Sequence, residues 1–156
     1  MIQRIQTIYL LLATALMSLT LFMPLATIWQ GNEELVIRTF GVSNTLGFEA
    51  ALPLYLGIVL AATTLLPLVT IFLFKKRLVQ IRLCVSEIVL LLGSLAFVAL
   101  YCYRICSLVA EAIAGELNFT LGFASLMPVL SIILVVLAMR GIAKDEALVR
   151  SLDRIR

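Results

Sequence analysis

The chain has 156 residues, a formal net charge of +3 and a hydrophobic content of 63%, against roughly 45–50% for soluble domains. A water-soluble fold of this length could not bury so much apolar surface, so the composition specifies a membrane protein: a single bundle, with no linker long enough to separate domains. The absence of histidine removes the usual general base, the commonest metal ligand and the axial ligands of b-type haem, so no cofactor is expected.

The chain opens on "MIQRIQT", where Gln3, Arg4 and Gln6 stand directly before the first apolar run. Side-chain amides there can bond to neighbouring helices or lipid headgroups. The run itself, 8–28, is longer than the roughly 7–15 residues of a signal-peptide core and has no A-x-A site after it, so an uncleaved first span is expected. Trp29 at its end reads as an interfacial anchor. In "ELVIRTFGV", followed by "SNTLG", β-branched residues alternate and then give way to turn formers. That pattern predicts a short extracytoplasmic β-hairpin across the mouth of the bundle.

The second span is expected over 50–74. Pro53 suits its first turn, whereas Pro67 lies inside it and should kink the helix or free a carbonyl near Thr63 and Thr64. The third is expected over 83–103, which sets Arg82 and Glu87 near its first end. A charge inside a membrane helix costs about 2.5–3.5 kcal/mol on insertion scales. Glu87 is therefore either a proton or ion site, or half of an interhelical pair with Arg82, Arg4 or Arg140. The fourth span is expected over 119–139, with Ser125 and Pro128 marking the start of regular helix. Cys84, Cys102 and Cys106 form no C-x-x-C motif. Cys102 and Cys106, one helical turn apart, read as small apolar residues on a helix face, with a redox pair as the alternative.

From 140 to 156, eight of seventeen residues are charged, in a chain where the overall share is 13%. On a helix, Leu148, Leu152 and Ile155 form one stripe with Val149 beside it, while Glu146 and Arg150 stand i, i+4 in the favourable order. Arg150 also reaches Asp153 at i+3. An amphipathic cytoplasmic helix is expected, continuing span four or hinged at Gly141. Its bases Arg140, Lys144, Arg150 and Arg154 suit anionic lipid. Its acids Asp145, Glu146 and Asp153 argue against simple lipid adhesion and leave a protein partner equally open.

Ten of the twelve Lys and Arg residues lie before span one, between spans two and three, or after span four, and only Arg38 and Arg104 fall in the other two connections. The positive-inside rule then predicts cytoplasmic amino and carboxyl termini, in agreement with an even number of spans. The fold expected is an all-α integral membrane bundle of four transmembrane helices.

"MIQRIQTIYLLLA", "RLC" leading into span three and "MRGIAKDEALVRSLDRIR" resemble an uncharacterised family of small inner-membrane proteins of Bacteroidota known by a domain-of-unknown-function label. The resemblance implies four transmembrane helices in a bacterial inner membrane and brings no activity. Both terminal motifs fall on the cytoplasmic face, so the working surface is expected there: Gln3, Arg4, Gln6, Arg82 and 144–156.

The function expected is a non-enzymatic membrane scaffold or accessory subunit, held in the bilayer and recruiting a cytoplasmic or membrane partner through its tail. A small transporter or channel using Glu87 is the alternative. No nucleophile has a base at motif spacing, which places an enzyme third. Nucleic acid is not expected as a partner. Gly57, Ala61, Ala62, Gly93 and Ala96 suit helix packing within the bundle as readily as a dimer, so the sequence leaves oligomeric state open.

Overall fold

The computed structural model describes residues 3–30, 33–44, 54–73, 77–112 and 118–153. Four helices carry the chain: α1 (Gln3–Phe22), α2 (Leu54–Phe72), α3 (Arg77–Ala112) and α4 (Met127–Asp153). Each is long and apolar enough to cross a membrane. Their outward faces carry residues such as Ile8, Ile58, Val89 and Ile133, each more than half exposed. So continuous an apolar exterior is unsuited to water and suited to lipid. The protein is a multi-pass membrane protein.

Four short strands, β1 (Ala26–Gln30), β2 (Glu33–Arg38), β3 (Gly41–Asn44) and β4 (Asn118–Leu121), form one antiparallel sheet in the order β3-β2-β1-β4. The segment expected to hold a hairpin supplies only β2 and β3. The sheet gains β1 from residues assigned to span one, and β4 from the connection before α4. On its inner face Ala26, Ile28, Leu35 and Ile37 are buried. They belong to one continuous core with Leu10, Ala13 and Met17 of α1 and with Tyr101, Ile105 and Val109 of α3. The sheet therefore closes one end of the bundle, the sheet end. The start of α1, the end of α2, the start of α3 and the last turns of α4 share the other, the terminal end.

Several expected boundaries move, each for a physical reason. Span one was expected to reach Ile28, yet α1 stops at Phe22, because Pro24 has no amide to donate and disfavours helical geometry in the residue before it. The Leu25 amide turns instead to the Ile37 carbonyl, at 2.8 Å, and the chain enters the sheet. Span four was expected from 119, but those residues pair with β1, a 3-10 turn follows over Phe123–Leu126, and α4 begins at Met127 beside Pro128. Span three was expected over 83–103. Instead α3 has 36 residues, about 54 Å at about 1.5 Å per residue. Arg104, assigned to a connection, is inside it. Gly141 was offered as a hinge, but α4 runs through it unbroken.

Two contacts fix the antiparallel register of α2 on α3. Gln80 donates to the Thr70 carbonyl at 2.9 Å near the terminal end, and the Tyr55 and Phe97 rings meet at 5.9 Å toward the sheet end. Interpolation between them sets Glu87 level with Thr63 and Thr64. A second register, α1 on α4, is set by Gln6 with Asp145 at the terminal end and by the Gly122 amide on the Leu25 carbonyl at the sheet end. It puts Ala13 level with Val135. Glu87 was expected near the end of its span; it lies at mid-bundle, because α3 begins six residues earlier than the apolar run suggested.

Candidate functional site

At the terminal end, polar side chains tie the four helices together. Gln6 of α1 donates its Nε2 to Asp145 Oδ2 of α4 at 2.8 Å. Arg77, in the first turn of α3, donates to the Asp145 backbone carbonyl at 3.3 Å. Gln80, one turn on, caps the last turn of α2 through the Thr70 carbonyl, an acceptor that the helix end leaves without an intrahelical donor. Gln6 reaches Asp145 by crossing α4 at Gly141, where a Cβ would lie 3.0 Å from its Cγ.

These groups enclose a cavity of about 30 Å³ lined by Gln6, Thr7, Leu10, Ile71, Arg77, Gln80 and Ile142. That is room for a water or two and for no substrate. The tie therefore fixes geometry: it holds the end of α4 against the starts of α1 and α3.

The second feature is Glu87. It is fully buried, and neither carboxyl oxygen has a hydrogen-bond partner among the described residues. The ion pairs expected for it are not formed with Arg82 or Arg140, because both guanidinium-bearing residues lie on exposed faces of their helices while Glu87 points inward. Arg4 lies in the first turn of α1, and its side chain, like that of Gln3, is outside the described set. Level with it by the two helix registers are Ala13, Thr63, Thr64 and Val135, all buried. The hydroxyls of Thr63 and Thr64 both donate to the Leu60 carbonyl at 2.8 Å. Pro67, one turn on, has no amide to offer the Thr63 carbonyl. An unpaired carboxyl and a carbonyl released by proline thus share the mid-bundle layer. About one turn toward the sheet end, the buried Ser131 hydroxyl also has no partner among the described residues.

The remaining tail residues divide. Lys144 is exposed, while Asp145 and Glu146 are half-buried. The side chains of Arg150, Leu152 and Asp153, and all of Arg154 and Ile155, fall outside the described residues. Within the described part of the stripe, Leu148 is 51% and Val149 39% exposed.

Among the described residues, no three His, Cys, Asp or Glu side chains converge as metal ligands. Cys84, Cys102 and Cys106 are free thiols. The sequence singled out Gln6, Asp145 and Glu87 and passed over Arg77 and Gln80, which the structure brings to the same end as Gln6 and Asp145. A glutamine just before an apolar run was the available signal. No curated protein matches the sequence. From residue 2 to residue 155 it matches the family described as a domain of unknown function, DUF4293, and the chain belongs to that family.

Proposed function

We propose that the chain is a non-enzymatic accessory or scaffold protein of a bacterial inner membrane, with both termini cytoplasmic, and that the projecting end of α4 recruits a protein partner. The orientation rests on ten of twelve basic residues lying in the segments of the terminal end. The observation that carries the recruiting role is the continuity of α4 from Met127 to Asp153. To lie flat on the leaflet, the tail would have to bend away from the membrane-crossing axis, and sharp bends need a proline, a helix defect or an inserted group. Gln6 and Arg77 both hydrogen-bond to α4 at Asp145. The next turns leave the bundle along its axis, presenting Leu148 and Val149 on an arm aimed into the cytoplasm.

The test is a photo-crosslinking residue at position 148 in native membranes. An adduct with one discrete protein, lost when the chain ends at Gly141 although insertion is intact, supports the reading. Adducts with lipid alone overturn it.

A second reading, ion-coupled transport, is favoured by one specific observation: a fully buried carboxyl at mid-bundle with no partner among the described residues. Intramembrane carboxyls of this kind mark ion and proton pathways. Sealed vesicles in which Glu87→Gln abolishes ion or proton movement, with the tail dispensable, would favour this reading over the first.

A further inference from the structure

Where α1 meets the sheet, a cleft of about 470 Å³ opens between the last turn of the helix and the β2–β3 hairpin. Leu21, Phe22, Phe40 and Val42 give it an apolar lining, and Arg38 and Ser43 give it a polar one. We propose that this cleft seats a phospholipid, with the phosphate on the Arg38 guanidinium and the glycerol and upper acyl chain on Phe22 and Phe40.

Position is the first argument. The stretch of α1 apolar enough to cross a membrane ends at Phe22, which sets the cleft at the level where lipid tails would give way to headgroups. Phe22 is 75% exposed there. A phenyl ring turned outward at that depth has lipid for a neighbour. The hairpin carrying Arg38 is anchored at the same level, with Thr39 bound to the Thr20 carbonyl at 3.0 Å and Phe40 laid over Gly57 of α2.

Charge is the second. Arg38 and Arg104 are the two basic residues in the segments of the sheet end. Among the described residues Arg38 makes one long contact, 3.4 Å, to the Phe22 carbonyl, while a guanidinium has five N–H donors in a fork that fits phosphate. The exposed Ser43 hydroxyl supplies another donor in the same polar lining.

Shape is the third. The volume falls within the roughly 300–1,000 Å³ typical of small-molecule sites. A free phosphate would gain nothing from four apolar side chains, whereas a phospholipid matches both the polar and the apolar lining.

Purified full-length protein, stripped of lipid in detergent, would be titrated with phosphatidylglycerol and bound lipid counted by native mass spectrometry. Arg38→Gln should lower retention of the tightest-held lipid at least fivefold, and Arg38→Lys by less. Ser43→Phe, which fills the cleft from an exposed position and leaves Arg38 in place, should match Arg38→Gln. Unchanged Trp29 emission and elution volume would show that the variants are folded. Retention at the wild-type level in both folded variants would overturn the proposal. So would equal retention of diacylglycerol with the same chains, or displacement of the lipid by inorganic phosphate at matched concentration.

Discussion

Thr39 donates its hydroxyl to the main-chain carbonyl of Thr20 at 3.0 Å, inside the protein and nineteen residues away in sequence. That carbonyl belongs to the last turn of α1. Its ordinary partner would be the amide four residues on, and that residue is Pro24, which has none. The proline that ends the helix thus creates an acceptor, and the tip of the β2–β3 hairpin satisfies it. Thr39→Val keeps the shape and removes the donor, leaving a buried carbonyl unpaired. The expected loss is about 1–3 kcal/mol, read as an earlier midpoint of denaturant unfolding in detergent. Thr39→Ser should recover most of it.

Gly122 closes the same end from the other side. Its amide donates to the Leu25 carbonyl at 2.8 Å, and a Cβ there would sit 2.2 Å from the Pro24 carbonyl oxygen and 2.9 Å from Leu25 backbone. Backbone cannot swing aside as a flexible side chain can. Gly122→Ala should therefore cost at least about 2 kcal/mol, in the range of overpacking. The control is Gly93→Ala, within α3, where an added Cβ meets nothing within 4 Å and should be neutral or gain up to about 1 kcal/mol. Equal losses in the two variants would show that the close approach of β4 to the α1–β1 connection does not hold.

The parts of the fold legible in sequence were those written locally. Four apolar runs gave four helices, and Pro128 fell beside the start of α4. What failed was long-range. β1 hides in an apolar stretch that continues a span by hydropathy, and only its pairing with Ile37, Leu35 and Phe119 reveals a strand. The depth of Glu87 was misjudged because hydropathy undercounts a helix whose first two turns carry Arg77, Gln80 and Arg82, and these polar residues are part of how α3 begins. The tail showed its helical period, yet the packing of Gly141 against Gln6, 135 positions upstream, is not written locally.

The tie at Asp145 should behave as one unit. In a double-mutant cycle, Gln6→Ala and Asp145→Ala should couple by about 0.5–1.5 kcal/mol, the net worth of a partly buried hydrogen bond. Each single variant should also speed hydrogen exchange in 142–153 while leaving α2 protected, because the tie holds the projecting arm more than the bundle. Purely additive effects would mean that the Gln6 amide and the Asp145 carboxylate do not sense each other.

Glu87 separates the two functional readings through stability as well as transport. A buried polar group without a hydrogen bond costs about 1–3 kcal/mol, and Glu87 has both carboxyl oxygens in that condition among the described residues. Glu87→Leu should therefore stabilise the bundle by about that amount, since the layer beside Ala13 and Val135 is apolar enough to receive it. Glu87→Gln, still polar and still unpaired, should change stability little. A marked loss in Glu87→Leu would reveal a partner for the carboxyl and return Glu87 to a structural role. A gain in stability joined to lost ion movement would identify a residue kept for chemistry at a cost to the fold, and would favour transport. A gain with partner binding at Leu148 intact and no ion movement in either form would leave the arm of α4 as the working part.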